Sequence, residues 1–441
     1  MTSRRLTLEH TLYALAFALA LTLRFLHLGA LPLSDFEADW AFQALQLARG
    51  AHPVTPALAA GASVGPNPAY VLLTSILFFV FGASSFLARF WPALAGSVLV
   101  LTPFFFRDRL GRLAALILAF ALAVEPGLLS LSRTAGSSIL AISFLVLAWA
   151  MGRERRYPLA GIFGGLALLS GPAVWMGLLI LGLCAAIWQA FISKQVKTDD
   201  QQQPGENQSP IENRKSPALP APVPQAQVSA AEGSIVNRQS FSSFIFHPSS
   251  FIFHPSSFIY LLATLLLAGS LFLLAPNGLS AFVASLLAYL KGWWTLSGVR
   301  VTHLLTALAA YQLMALIFGL IALVRGLLRK DHLVIGLSLF AAVALLLALA
   351  YPARQVADLA WAFLPLWTLA ALELSRYTKM EGVSGWELAG VTALTIAILV
   401  FVWLNLAAVA GGTFVLQVAQ TRLLVALGAL LILGLSLTLI G

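Results

Sequence analysis

Charge is the scarce material in this sequence. Of its 441 residues 10% are charged and 17 are acidic, whereas a soluble domain runs nearer one-quarter charged, so a single water-soluble globule is excluded. Whole stretches carry no charge: residues 158–193, 333–353, 388–421 and 423–441 contain no Asp, Glu, Lys or Arg, and about 20 apolar residues suffice to cross a bilayer as a helix. Cysteine is scarcer still. Cys184 stands alone inside an apolar run, which excludes an internal disulfide and a cysteine metal site and marks it as a small packing residue. There is no Gly-rich loop ahead of Lys-Ser or Lys-Thr, no His-Glu-x-x-His and no Gly-x-Ser-x-Gly, so the mononucleotide, zinc-protease and hydrolase-elbow signatures are missing.

What is present is 60% hydrophobic, with a mean hydropathy of +0.90. The expected fold class is all-α, a polytopic transmembrane helical bundle of about 11–13 helices. Apolar segments lie near 8–28, 68–83, 86–106, 113–131, 135–151, 158–192, 258–276, 302–324, 333–352, 356–374, 387–410 and 422–440. The 158–192 stretch is too long for one simple span and holds Gly171-Pro172 at its middle, which predicts a broken helix or a tight helical pair. The net charge of +9 comes from clusters between apolar runs, such as Arg107, Arg109, Arg112 and Arg153, Arg155, Arg156. These read as cytoplasmic anchors under the positive-inside bias, so membrane lipids are expected partners and nucleic acid is not.

Arg4 and Arg5 precede the first span, which reads as a retained signal anchor with residues 29–67 as the first extracytoplasmic loop. With three spans before it, the basic turn at 107–112 then falls on the wrong side unless one early segment is re-entrant or the charge rule fails here. The organisation expected is an N-terminal transmembrane module over 1–192, a disordered linker with a low-complexity insertion over 193–257, and C-terminal transmembrane helices over 258–441. The insertion carries repeated copies of Ser-Ser-Phe-Ile-Phe-His-Pro. The copies place His247 and His254 in identical flanks, and simple duplication explains them without metal chemistry. The last apolar run reaches Gly441 without a polar tail, as in a fragment or a chain that stops before a soluble domain.

Because a charge in or beside a bilayer costs roughly 2.5–3.5 kcal/mol on insertion scales, the few ionisable residues point to function. Three acids, Asp35, Glu37 and Asp39, crowd the start of the first loop. A helix capped at Ser34 or Asp35 would put Phe36, Trp40, Ala44 and Leu47 on one face and Asp35, Asp39, Gln43 and Gln46 on another, lying on the membrane surface with Glu37 turned away from the other two acids. Elsewhere stand Glu125-Pro126 with Ser132-Arg133, then Tyr289, Lys291 and the Trp293-Trp294 belt followed by Arg300 and His303, and finally Arg354 with Asp358, spaced to pair on one helix turn.

An arginine-bearing first span, a short acidic motif with an aromatic, a helix ending at Gly50 and Pro-rich sequence follow in order. Then come Asn67-Pro68-Ala69-Tyr70, Phe81-Gly82, Arg89, a basic turn, Pro126 and Ser132-Arg133. Over roughly residues 20–180 this resembles the GT-C membrane glycosyltransferases, in particular the protein O-mannosyltransferase and lipid A aminoarabinose transferase group. The family's Asp-Glu-Ala-x-Tyr pattern falls on Phe36-Glu37-Ala38-Asp39-Trp40. Glu37 takes the glutamate position and Phe36 the aspartate position, and a second acid that the family often carries falls at Ser137 or Ser138.

The resemblance implies transfer of a sugar from a polyprenyl-phosphate-linked donor to an extracytoplasmic lipid, glycan or protein acceptor, by a multi-pass protein of the cell membrane. It implies Glu37, helped by Asp35 or Asp39, as the catalytic acid–base group. Arg133, Lys291, Arg300 and Tyr289 become the substrate-binding residues, and a divalent metal is left open. The competing classes are a transporter or lipid flippase, and an inactive scaffold with this fold.

Overall fold

The computed structural model describes residues 8–50, 67–201, 254–270, 272–273, 277–377, 397–398, 400–402, 404–405 and 416–440. Most of the expected linker and insertion, His247 among it, lies outside these residues. So does most of the segment expected at 387–410. Every regular element among the described residues is a helix, as the composition predicted.

The helices in order are α1 Leu8–Phe25, α2 Asp35–Ala48, α3 Pro68–Phe81, α4 Ser85–Leu99, α5 Thr102–Phe105, α6 Arg107–Leu110, α7 Arg112–Val124, α8 Pro126–Ser132, α9 Ile139–Arg153, α10 Tyr157–Leu168 and α11 Ala173–Gln201. They continue as α12 Pro255–Gly269, α13 Asn277–Lys291, α14 Val301–Tyr311, α15 Leu313–Arg329, α16 His332–Ala350, α17 Ala360–Tyr377 and α18 Leu416–Ile440. Local chemistry sets many of their starts. Ser34, Asn67, Ser84 and Asp331 accept backbone N–H groups as N-caps, and α3, α8, α10 and α12 carry proline in the first turn. Among the described residues five helices are long and apolar enough to cross a membrane, or seven when each of two bent pairs counts as one span. The protein is a multi-pass integral membrane protein.

The bundle has a basic end and a loop end. At the basic end Glu9, at the start of α1, meets Arg107 at 4.0 Å and Arg112 at 3.9 Å, and Asp108 meets Arg153 at 3.9 Å. At the loop end, Arg89 near the start of α4 donates to the Leu28 carbonyl just past α1. Helices α1 and α4 therefore run antiparallel between the same two ends, and α2 and α3 together make no net crossing. This settles the parity of the early segments. The apolar stretch expected as a span at 68–83 stays at the loop end as α3, and the basic turn at 107–112 shares a side with the amino terminus.

Other breaks match or refine the expectation. The 158–192 stretch divides at Gly171-Pro172 into α10 and α11, with Gly171 at φ +81°. The segment near 113–131 bends by 55° between α7 and α8, and the segment near 302–324 by 85° between α14 and α15. Helix α11 runs on to Gln201, into the region expected as linker, and α12 begins at Pro255. Its cap residue, His254, stacks on Tyr157 with ring centroids 3.8 Å apart and hydrogen-bonds Ser256, which gives this repeat histidine a packing role.

Candidate functional site

Helix α2 starts with a reciprocal cap. The Ser34 hydroxyl accepts from the Glu37 N–H, while the Glu37 carboxylate accepts from the Ser34 N–H at 3.0 Å and the Ser34 hydroxyl at 3.1 Å. The buried face of α2 is Glu37, Trp40, Ala41 and Ala44. This corrects the expected amphipathic split: Glu37 points into the protein, while Phe36 is exposed beside a cavity.

Inside, Glu37 meets Arg89. The guanidinium Nε reaches Oε1 at 2.7 Å and Nη2 reaches Oε2 at 2.7 Å, a two-pronged pair. The remaining Arg89 donors go to the carbonyls of Leu28, Leu31 and Pro32, and the Ala135 N–H adds a bond to Glu37 Oε1 at 3.0 Å. One acid thus ties together the end of α1, the start of α2, α4 and the connection between α8 and α9. Burial acts to raise the Glu37 carboxyl, but the hydrogen bond from Arg89, then those from the Ala135 and Ser34 N–H groups, outweigh it and hold the group at about 2. Behind it, Trp40 packs on Gly136, which sits at φ +71° where an added Cβ would enter the indole ring.

The arginines of this end are similarly engaged. Arg24 is fully buried, with Nε 3.2 Å from the Ser132 hydroxyl and its Nη atoms donating to the carbonyls of Ala20, Leu122 and Ala123. Arg133 donates through Nη1 to Leu23 at 2.8 Å and Leu26 at 2.9 Å, capping the carbonyls that end α1. The Ser132-Arg133 element therefore binds the first helix. Glu125 is buried as the N-cap of α8, accepting from Gly127, Leu128 and the Gln312 amide, and the Trp367 indole donates to Gln312 Oε1 at 3.0 Å.

A cavity of about 80 Å³ opens at the loop end, between the first loop and the chain around 351–358. Phe36 and Asn67 line it on one side, with Ser137 and Ser138 from the connection between α8 and α9. Tyr289, Tyr351 and Asp358 line the other. Tyr289 and Tyr351 stack with centroids 5.2 Å apart, and the Tyr351 hydroxyl donates to the Tyr289 carbonyl at 2.9 Å. The Ser138 hydroxyl is buried with no hydrogen-bond partner among the described residues.

Asp358 was expected to pair with Arg354. Instead its Oδ2 accepts the Gln355 N–H at 2.8 Å, and Arg354 Nε donates to the Tyr351 carbonyl at 3.1 Å.

Of the residues given catalytic or substrate-binding roles from sequence, Tyr289 alone lines the cavity among the described residues, and Asp358, singled out only as a partner for Arg354, lines it as well. Asp35 and Asp39 are exposed one turn apart on α2, on either side of Phe36 in sequence. Lys291 and Arg300 are exposed beside the far wall: the Gly292 carbonyl accepts from Ala353, the Pro352 carbonyl accepts from Ser297, and α14, which Arg300 precedes, packs on the 3-10 turn Val356–Leu359. Arg89 and Asp358 were missed as site residues. The signal for Asp358 was available, since an acid directly ahead of an apolar run is costly and calls for a reason.

Among the described residues the donors do not make a divalent-metal site: Glu37 is committed to Arg89 and three other donor groups, Asp358 is the one carboxylate lining the cavity, and no three of His, Cys, Asp or Glu converge.

No protein-family model matches the sequence, and no curated protein matches it significantly. The fold is similar to that of ArnT from Cupriavidus metallidurans bound to undecaprenyl phosphate, with a TM-score of 0.57 and 13% identity over 97% of this chain and 75% of that one. It is likewise similar to apo ArnT from the same organism, with a TM-score of 0.54 and 15% identity over 97% of this chain and 74% of that one. With its two non-crossing helices after the first span and its cavity at the loop end, the described part of this chain, whose regular elements are helices, has a GT-C-like fold shared with ArnT.

Proposed function

We propose that this protein transfers a sugar from a polyprenyl-phosphate-linked donor to an extracytoplasmic acceptor in the cell membrane. The observation that carries the reading is the cavity at the loop end of a GT-C-like bundle, lined by Phe36 from the acidic start of α2 on one side, with the exposed Lys291 and Arg300 beside its other wall. The similar ArnT structure holds undecaprenyl phosphate, which supports a lipid phosphate as the donor's carrier here. The clustering of arginines at the opposite end supports a cytoplasmic basic end and an extracytoplasmic cavity.

In the proposed reaction an acceptor hydroxyl gives its proton to a carboxylate as its oxygen bonds to the anomeric carbon. The bond from that carbon to the lipid phosphate oxygen breaks, and its electron pair leaves with the phosphate. A carboxylate held at about 2 is a weak base near neutral pH. Glu37 therefore serves as the positioning residue that fixes the start of α2, and the proton acceptor is Asp35 or Asp39, whose oxygens take no hydrogen bond among the described residues. Lys291 and Arg300 face the departing phosphate charge, while Arg133 anchors α1.

The test is sugar transfer from undecaprenyl-phosphate-linked hexoses in vesicles. Asp35→Asn or Asp39→Asn is expected to lower the turnover rate by about 100-fold or more, the span of general base catalysis, with an unchanged unfolding midpoint. Transfer at the wild-type rate in both variants and in their double variant would overturn these roles.

A further inference from the structure

We infer that the cavity receives the sugar of the donor rather than its phosphate, and that Asp358 is the residue that recognises it through the sugar's hydroxyl groups. The inference rests on the transfer reading above and deepens it.

Among the described residues no lysine, arginine or histidine lines the cavity. Its polar wall consists of groups suited to hydroxyls: Asn67, Ser137, Ser138, Ser170, Gln355 and Asp358. An anion placed there would lie against the Asp358 carboxylate with no cation to compensate it. The cationic side chains stand outside the wall, Lys291 next to Gly292 and Arg354 turned to the Tyr351 carbonyl. Charge is thus divided between rim and interior, as a neutral ring joined to a charged phosphate requires.

Two groups in the wall have unused hydrogen-bonding capacity. The buried Ser138 hydroxyl has no partner among the described residues, and buried polar groups are ordinarily satisfied by protein, water or ligand. Asp358 commits only Oδ2, to the Gln355 N–H; Oδ1 accepts nothing among the described residues. A hydroxyl that donates to Oδ1 gains a charge-assisted bond. The Tyr289–Tyr351 pair, stacked at 5.2 Å, adds an aromatic wall for the apolar face of a ring. The turn that carries Asp358 is held by its own reciprocal cap with Gln355, so the carboxylate is presented from a fixed backbone.

The experiment compares purified wild-type protein with Asp358→Asn and Tyr351→Phe in lipid nanodiscs, titrated with undecaprenyl phosphate and with undecaprenyl-phosphate-linked hexoses. An asparagine oxygen still accepts the Gln355 N–H, so the turn survives the first substitution. Wild type is expected to bind at least one sugar-linked lipid more tightly than the bare lipid phosphate, by about tenfold. Asp358→Asn should lose that preference while its affinity for undecaprenyl phosphate stays the same. Tyr351→Phe, which keeps the carboxylate and the ring, should retain it. Full preference in Asp358→Asn, or loss of bare-phosphate binding in step with the sugar, would overturn the inference. A wild type that binds neither lipid would overturn the transfer reading on which it rests.

Discussion

Arg89 of α4 grips Glu37 of α2 with two nitrogens, each 2.7 Å from a different carboxylate oxygen. The pair is nearly withdrawn from solvent, at 8% and 6% side-chain exposure. The glutamate to which the family motif draws attention is also a structural joint, bonded to Arg89, Ser34 and Ala135.

Breaking that joint from one side should be costly. Arg89→Met leaves a buried carboxylate without its partner and is expected to destabilise the protein by about 3–5 kcal/mol. The double variant Glu37→Gln, Arg89→Met should recover part of the loss. Unfolding midpoints in detergent, taken as a double-mutant cycle, check this.

The same pair fixes a pH response. The folded-state carboxyl of Glu37 sits at about 2, below its unfolded value of roughly 4.3. Its contribution to stability is therefore complete above the unfolded value and disappears as pH falls through the folded one. The wild-type unfolding midpoint should lose this contribution between about pH 4 and pH 2. Glu37→Gln should lack that part of the acid dependence, as read by thermal unfolding over the range.

Gly136 tests the contact beneath the pair. Gly136→Ala adds both a strained positive φ and a collision with Trp40, and should cost more than Gly50→Ala, where φ is +72° and nothing lies within 4 Å. The expected values are about 2–4 kcal/mol for the first and about 1–2 kcal/mol for the second. Chemical denaturation of the two variants side by side measures the difference.

The two bent spans are joined at their bends. Glu125, at the 55° break, accepts from Gln312, at the 85° break, and Trp367 donates to Gln312 in turn. Glu125→Ala should leave buried N–H groups unpaired and cost about 2–4 kcal/mol, while Trp367→Phe, which removes one bond, should cost about 1 kcal/mol. A cycle of Glu125→Ala and Gln312→Ala should show coupling rather than additivity.

Much of this architecture was legible in the residues. Uncharged runs announced a membrane bundle, Gly171-Pro172 announced the break between α10 and α11, and Ser34 and Asp35 were the two candidate caps for α2, of which Ser34 serves. The burial of Glu37 was not legible, because its partner Arg89 lies 52 positions away and no local periodicity encodes such a meeting. Nor could composition separate a crossing helix from α3, which is as apolar as a span but is bound at both ends to the loop side. Asp358 escaped for a related reason. Its spacing from Arg354 suggested an ion pair, whereas the backbone turns there into a 3-10 helix and the carboxylate caps Gln355 instead.

The most direct measurement is to incubate the purified protein with undecaprenyl-phosphate-linked hexoses and a membrane and envelope extract that supplies hydroxyl acceptors, and to follow the release of undecaprenyl phosphate by mass spectrometry. The account predicts release with at least one of these donors, abolished by the combined Asp35→Asn, Asp39→Asn substitution. Intact donor throughout, with the same lipids carried across a vesicle membrane by the protein, would contradict it and point to a flippase built on this fold.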